Sequence, residues 1–222
     1  MMTAYTMPLG IIFDMDNTLL RSHIDFPAMK REVHAWLAAR AFAAASLDLN
    51  RYTTSMLIEE AKQAGMSAGD YEAVMRITAE HEVRGMAGAG LEPGAVELLD
   101  ALHGRYMLAI VTNNAEQAAE RALTETGIID RFTIIVGRES MQAMKPSPSG
   151  YETVLRQSGI SASEWLSVGD SWIDGKGSVD AGIAFISYGT TLEAMRSRGV
   201  EPIHSIEELM ELDRWLSRIG VK

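Results

Sequence analysis

The chain has 222 residues, 47% hydrophobic and 23% charged, a balance that is typical of folded globular proteins and excludes a disordered chain. Its 20 lysines and arginines stand against 30 aspartates and glutamates, and the resulting net charge of −10 argues against a general nucleic-acid binder, which needs a basic face. There is no cysteine, which excludes disulfides, thiolate nucleophiles and sulfur-bound metals.

The first part of the chain predicts one strand followed by a long helical segment. Residues 9–13 form a short apolar run that leads into acidic residues, as expected of a buried strand. From about residue 27 to 86, apolar residues recur at helical spacing, with breaks at Asn50 and at residues 65–69. We expect no strand in this segment.

Strands and helices alternate from residue 93 onward. Strands are predicted over 106–111, 132–136, 165–168 and 183–187, and helices over 95–102, 116–126, 150–158 and after Asp174. Apolar strands that alternate with helices predict a parallel sheet with helices on both faces. We therefore predict an α/β core domain, residues 1–20 and 89–222, with a helical domain inserted at residues 21–88.

The predicted strand ends carry the candidate site, because ligands of open parallel sheets bind beyond the carboxyl ends of the strands. The residues at these ends are Asp14, Asp16, Thr18, Thr112, Asn113, Asn114, Lys145, Gly169, Asp170 and Asp174. Residues two apart on an extended backbone face the same side, so Asp14 and Asp16 can act on one substrate. Converging charges on Asp14, Asp170 and Asp174 require a cation, and oxygen ligands suit Mg²⁺.

This set of strand ends resembles the haloacid dehalogenase superfamily, in particular its phosphoglycolate-phosphatase-like subgroup. Residues 14–18 match the DxDxT signature of its phosphatases, Thr112 the second motif, Lys145 the third, and Gly169-Asp170 with Asp174 the fourth. The motifs span the α/β part of the chain in the family's order. The resemblance implies a Rossmann-like core, and the helical insert resembles the family's small cap domain.

The resemblance also implies roles for these residues. It makes Asp14 the nucleophile that forms an aspartyl-phosphate and Asp16 the general acid and base. It gives Mg²⁺ as the cofactor, held by the Asp14 carboxylate, the Asp16 main-chain carbonyl, Asp170, and Asp174 directly or through water. Thr112, the amide of Asn113 and the ammonium of Lys145 are expected to bind the phosphoryl oxygens.

We therefore predict a Mg²⁺-dependent phosphatase for a small phosphorylated metabolite. Two alternatives stay open: a sugar phosphomutase of the same superfamily, and a non-catalytic binding or regulatory protein on this fold. The second aspartate of the pair argues against carbon–halogen cleavage. Six basic residues in or beside the insert are candidates for the non-reacting end of the substrate, and the sequence does not choose among them: Arg21, His23, Lys30, Arg51, Arg76 and Arg84.

Three features that the sequence lacks bear on the location of the protein: a secretory signal, a long apolar run and cysteine. The first ten residues show no secretory signal, and no uncharged apolar run reaches the roughly 18 residues that span a bilayer. Together with the missing cysteine, this favours the cytoplasm. We expect no nucleic-acid or membrane partner, and either a monomer or a homodimer.

Overall fold

The computed structural model describes residues 7–219. Six strands form its main sheet: Gly10–Phe13 (β1), Met107–Val111 (β4), Ile134–Val136 (β5), Trp165–Gly169 (β6), Ala184–Tyr188 (β7) and His204–Ile206 (β8). Their order is β5-β4-β1-β6-β7-β8, and every pair is parallel. Two short strands, Leu20–Arg21 (β2) and Gly90–Leu91 (β3), pair antiparallel beside it.

Nine α-helices lie in the same range. Three lie between β2 and β3 in the chain: Phe26–Ala38 (α1), Thr54–Gln63 (α2) and Ala68–Met86 (α3). The other six are Ala95–Leu102 (α4), Glu116–Glu125 (α5), Ser149–Ser158 (α6), Trp172–Asp180 (α7), Leu192–Arg196 (α8) and Met210–Ile219 (α9). None of these helices is both long and apolar enough to cross a membrane.

Alternation along β1 explains why helices cover both faces of the sheet. Ile11 and Phe13 belong to one apolar cluster, which includes Leu98 and Leu99 of α4. Ile12, between them, belongs to a second cluster on the other face, with residues of α6. Successive side chains of a strand point to opposite faces, so a strand buried on both faces is apolar throughout. The predicted α/β fold with a parallel sheet is confirmed.

Helices α1, α2 and α3 pack around an apolar cluster of their own, whose buried members include Val33, Leu57 and Val74. The two chain segments that lead into and out of these helices lie against each other. The main-chain N–H of His23 donates to the carbonyl oxygen of Gly85 at 2.8 Å, and a Cβ atom on Gly85 would come within 2.4 Å of the Ile24 Cα atom. The division of the chain into domains at residues 20 and 88 stays a prediction.

The predicted strands agree with the structure to within two residues at each end, and residues 27–86 contain no strand. The short strands β2 and β3, the edge strand β8, and helices α8 and α9 were not predicted. One helix start was wrong, since α7 begins at Trp172 and Asp174 lies inside its first turn. Ser171 is the N-cap there, and it forms a capping box with Asp174 that fixes the earlier start.

Candidate active site

The chain leaves β1 through a tight turn that brings Asp14 and Asp16 to the same cavity. The N–H of Asp14 still bonds to the carbonyl oxygen of Val168, at 2.9 Å, so Asp14 lies at the very end of the parallel ladder. Asn17 then adopts a left-handed conformation with φ of 57°, which reverses the chain. Side-chain amides tolerate this conformation better than most, and the turn leaves both carboxyl groups at the carboxyl edge of the sheet.

Lys145 is buried among the carboxylates of this edge. Its ammonium donates to Asp14 Oδ1 at 2.6 Å, to Asp174 Oδ1 at 2.7 Å and to the main-chain carbonyl oxygen of Val111 at 2.8 Å. These bonds use all three donors of the ammonium. Burial alone lowers the pKa of Lys145, but the charges of Asp14 and Asp174 outweigh it and raise this pKa well above its usual value. Lys145 is therefore a fixed positive charge between β1 and α7.

Asp174 reaches the site because it lies in the first turn of α7. Its Oδ1 atom accepts from Lys145, and its Oδ2 atom accepts from the main-chain N–H of Ser171 at 3.0 Å. The carboxylate folds back over the end of β6, where a Cβ atom on Gly169 would come within 2.8 Å of it. Only glycine leaves room for this approach, which explains the glycine before Asp170.

The side-chain amide of Asn113 holds the loop that carries Lys145. Its Oδ1 atom accepts from the Lys145 main-chain N–H at 2.7 Å, and its Nδ2 atom donates to the Lys145 carbonyl oxygen at 3.1 Å. This side chain is therefore engaged with the protein, and the main-chain amide of Asn113 is the donor that we assign to the expected contact with a phosphoryl oxygen. Thr112 is buried beside it and lines the cavity, and its hydroxyl oxygen accepts from the N–H of Asn114 at 3.2 Å.

Asp16 has one satisfied and one unsatisfied oxygen. Its Oδ2 atom accepts from Asn114 Nδ2 at 2.5 Å, while its Oδ1 atom is buried without a hydrogen-bond partner in residues 7–219. Burial, followed by the negative charge of Asp14, raises the pKa of Asp16 to about 7. A carboxyl group with this pKa is both a competent acid and a competent base near neutral pH.

The donor set of the site fits a hard divalent cation. Asp14, Asp170 and Asp174 each offer a carboxylate oxygen, and the three atoms lie within 4.8 Å of one another. Such a cluster can surround one Mg²⁺ ion, whose ligand oxygens lie at about 2.0–2.1 Å. Burial, then the charges of Asp14 and Asp174, raise the pKa of Asp170 to about 8, and burial and Asp14 raise that of Asp174 to about 6. With Asp16 there are four carboxyl groups and one ammonium, so negative charge is in excess.

Helices α1 to α3 close the site into a cavity of about 350 Å³ whose walls come from both parts of the chain. Ser55 at the start of α2 donates to the Lys145 carbonyl oxygen at 2.8 Å. On α3, the buried carboxylate of Glu82 forms an ion pair with the buried guanidinium of Arg138. Burial raises the pKa of Glu82, and the charge of Arg138 opposes this shift. The helical insert therefore contacts the loop that carries Lys145.

All seven predicted site residues lie around this cavity, and they are Asp14, Asp16, Thr112, Asn113, Lys145, Asp170 and Asp174. Four further participants had no predicted role. Asn114 was predicted to lie at the strand end with Thr112, but no role was predicted for it. No local pattern in the sequence marks Ser55, Glu82 or Arg138, since their partners lie far away in the chain.

Comparisons with known proteins identify the family of the chain. A family model described as haloacid dehalogenase-like hydrolase matches residues 11–188. The phosphoglycolate phosphatase of Rhodospirillum rubrum is 30% identical over 234 residues, which cover 95% of this chain and 91% of that protein. A pyrimidine 5′-nucleotidase of Escherichia coli is 30% identical over 128 residues, 57% of this chain and 56% of that protein.

A solved structure shares the fold. The HAD-superfamily hydrolase of subfamily IA from Geobacter sulfurreducens superposes with a TM-score of 0.60 at 24% identity, over 93% of this chain and 95% of that one. The matched range 11–188 runs from β1 to β7 and includes every predicted site residue. The chain therefore belongs to the haloacid dehalogenase-like hydrolase family, as one of its phosphatases.

Proposed function

We propose that the chain hydrolyses a small, phosphoglycolate-like phosphomonoester in a Mg²⁺-dependent reaction that passes through an aspartyl-phosphate on Asp14. The observation that carries this proposal is the position of Asp14. Its carboxylate lies beside the Lys145 ammonium and within one cluster with Asp170 and Asp174, at a cavity that also contains Asp16. A cavity of about 350 Å³ is at the small end of ligand sites, which favours a metabolite over a phosphoprotein.

In the first step, a carboxylate oxygen of Asp14 attacks phosphorus, and the bond from phosphorus to the ester oxygen breaks. Asp16 gives its proton to the departing oxygen, so that a neutral alcohol leaves. Lys145 and the main-chain amide of Asn113 offset the negative charge that spreads over the phosphoryl oxygens. The Thr112 hydroxyl donates to one of the same oxygens.

In the second step, Asp16 accepts a proton from a water molecule that attacks the phosphorus of the aspartyl-phosphate. The bond from phosphorus to Asp14 breaks, inorganic phosphate leaves, and Asp16 is protonated again. The pKa of about 7 suits both directions of this proton transfer. The single bond from Asn114 to Asp16 Oδ2 fixes the carboxyl group and leaves Oδ1 free for the proton.

Mg²⁺, held by the carboxylates of Asp14 and Asp170, the main-chain carbonyl of Asp16, and Asp174 directly or through water, would neutralise charge on the transferred group. The supporting observations are the all-oxygen donor set and the raised pKa values of Asp170 and Asp174, to which burial contributes most and the neighbouring carboxylates contribute next. The missing cysteines favour the cytoplasm as the place of the reaction.

The experiment is release of inorganic phosphate from p-nitrophenyl phosphate and from 2-phosphoglycolate, each with Mg²⁺ and with EDTA. We expect release only with Mg²⁺, and none from Asp14→Asn. Hydrolysis by Asp14→Asn at the wild-type rate would remove the proposed nucleophile. A phosphomutase would instead need a bisphosphate primer and release little phosphate, and a non-catalytic protein would release none from any ester.

A further inference from the structure

The lysine loop, residues 142–145, is anchored in both parts of the chain. Met144, the residue before Lys145, is 5% exposed, and its side chain lies in the apolar cluster of helices α1 to α3, together with Leu57. The side chain of Lys145 itself lies at the sheet edge, with its ammonium 2.6 Å from Asp14 Oδ1. Two neighbouring side chains therefore hold this loop, one in the helical insert and one in the candidate site.

One side of α2 holds the main chain of the lysine loop. Three side chains of this helix, which follow one another at i, i+4 and i+7, form hydrogen bonds with main-chain atoms of the loop: Ser55, Glu59 and Lys62. Glu59 Oε1 accepts from the N–H of Met144 at 3.2 Å. Lys62 Nζ donates to the carbonyl oxygen of Gln142 at 3.0 Å. Residues at this spacing share one face of a helix, so α2 contacts the loop along about two turns.

The carbonyl oxygen of Lys145 is the point where the insert and the sheet edge meet. It accepts from Ser55 Oγ on α2 at 2.8 Å and from Asn113 Nδ2 at 3.1 Å, and these two bonds use both of its lone pairs. The main-chain N–H of Lys145 donates to Asn113 Oδ1 at 2.7 Å. A displacement of α2 therefore either breaks its hydrogen bonds to the loop and withdraws Met144 from the apolar cluster, or moves the main chain of Lys145.

We propose that helix α2 positions Lys145, so that its ammonium is in place for a phosphoryl group only while the helical insert is docked on the lysine loop. Glu59 and Met144 are the positioning residues, since they act on Lys145 through the main chain of the loop. Glu59 lies outside the lining of the cavity, so it influences a bound substrate through this loop. The effect on hydrolysis rests on the proposed function, whereas the coupling of α2 to Lys145 does not.

The first experiment measures how well Lys145 is shielded in the full chain. A short pulse of acetic anhydride, at less than one label per molecule, acetylates amines that reach solvent, and peptide mass spectrometry gives the rate at Lys145. This residue is 1% exposed, so its reaction in the wild type is slow. We expect the rate to rise about 10-fold in Glu59→Ala, the value of one hydrogen bond to a charged acceptor. Glu59→Gln keeps a carbonyl oxygen for the N–H of Met144 and should react at the wild-type rate.

Met144→Ala and Leu57→Ala form a matched pair. Both substitutions remove a buried side chain from the same apolar cluster, so both weaken the insert. Leu57 lies about 200° around α2 from Ser55, on the other side of the helix from the lysine loop. We expect faster acetylation of Lys145 in Met144→Ala and the wild-type rate in Leu57→Ala. Equal rises in the two variants would mean that any loosening of the insert exposes Lys145, and would overturn the proposal.

The second experiment measures kcat/KM for p-nitrophenyl phosphate with Mg²⁺ in the same variants. We expect a loss of about 10-fold or more in Glu59→Ala and Met144→Ala, because a misplacement of about 1 Å at a reacting site is enough for such a loss. Glu59→Gln and Leu57→Ala should stay near the wild-type value. Circular dichroism reports whether each variant folds, and the two Glu59 variants decide the question if Met144→Ala does not.

Two outcomes separate this inference from the proposed function. Acetylation of Lys145 at the wild-type rate in a folded Glu59→Ala variant would overturn the inference and leave Asn113 as the support of the loop. If the wild type hydrolyses no ester, the proposed function fails, and the acetylation rates still decide whether α2 positions Lys145.

Discussion

Replacement of Lys145 by methionine is the sharpest test of the charge arrangement at the sheet edge. The substitution removes an ammonium that lies 2.6 Å from Asp14 Oδ1 and 2.7 Å from Asp174 Oδ1. Methionine has a similar length, so the main loss is the charge and its hydrogen bonds. The two carboxylates would then stay buried beside each other without the cation that separates them.

The expected loss of stability is large. At an effective dielectric constant of about 20, each ion pair has a Coulomb energy of roughly 6 kcal/mol before desolvation. Removing one partner of a buried pair costs about 3–5 kcal/mol in net terms. We therefore expect the free energy of unfolding of Lys145→Met to fall by about 3–5 kcal/mol at pH 8 without metal.

The loss should shrink as the pH falls. Burial and nearby charge raise the pKa of Asp170 to about 8 and that of Asp174 to about 6 in the folded chain, from an ordinary value of 3.8. A folded state that binds protons more tightly than the unfolded state gains stability as the pH falls through its raised pKa values. At pH 5 these groups are protonated, so the missing ammonium matters less, and the variant should approach the wild type.

The assay is urea denaturation at pH 8 and pH 5, with EDTA and with Mg²⁺. Lys176→Met is the control, because Lys176 forms only an exposed pair with Asp180 on α7, worth about 0.5 kcal/mol or less. Mg²⁺ should restore part of the loss in Lys145→Met at pH 8. A loss below about 1 kcal/mol at pH 8, or one that does not change with pH, would refute the reasoning.

Three further predictions concern proton transfer, metal binding and the contact between helix α3 and the core. Asp16→Asn should reduce kcat/KM, which reports the first step, by about 10²- to 10⁴-fold for an alkyl phosphate and far less for p-nitrophenyl phosphate, whose leaving group needs no proton, as steady-state kinetics will show. The affinity for Mg²⁺ should rise about tenfold per pH unit from pH 6 to 8, because Asp170 with its pKa of about 8 must lose a proton to bind, and calorimetry measures this. Arg138→Met should cost about 3–5 kcal/mol in urea denaturation, because it leaves the buried Glu82 carboxylate unpaired.

Each of these predictions has an internal control. Equal losses of kcat/KM for the alkyl phosphate and for p-nitrophenyl phosphate would show that Asp16 does not protonate the leaving group. Asp170→Asn should flatten the pH dependence of Mg²⁺ binding, and a steep slope in that variant would assign the proton elsewhere. Glu82→Gln in the Arg138→Met background should recover stability, and no recovery would mean that the loss comes from packing.

The sequence predicted the features that local patterns encode. Strands such as β1 and β6 are apolar throughout because both faces are covered, and this pattern is readable without a structure. Parallel strands end at one edge of the sheet, so residues as distant as Asp14 and Lys145 could be expected to meet there. The sequence does not reveal in which direction a side chain points. It therefore did not predict that the side-chain amide of Asn113 forms hydrogen bonds with the main chain of Lys145.

What the sequence did not predict depends on contacts between distant parts of the chain. Strands β2 and β3 have two residues each, and they are strands because they pair with each other. Ser55 lies 90 residues before Lys145, and nothing near Ser55 in the chain marks it as a partner. Of the six basic candidates in or beside the insert, only Lys30 lines the cavity, and this too depends on contacts that the sequence does not reveal.

The most direct test of the account is to trap the phosphorylated protein. Asp16→Asn is mixed with p-nitrophenyl phosphate and Mg²⁺, quenched in acid within milliseconds, and analysed by peptide mass spectrometry. The good leaving group allows the first step, whereas the missing base slows the second. We predict a burst of one p-nitrophenolate per protein molecule, with phosphate on the peptide at Asp14. Turnover without a burst, or phosphate on any other residue, would contradict the account.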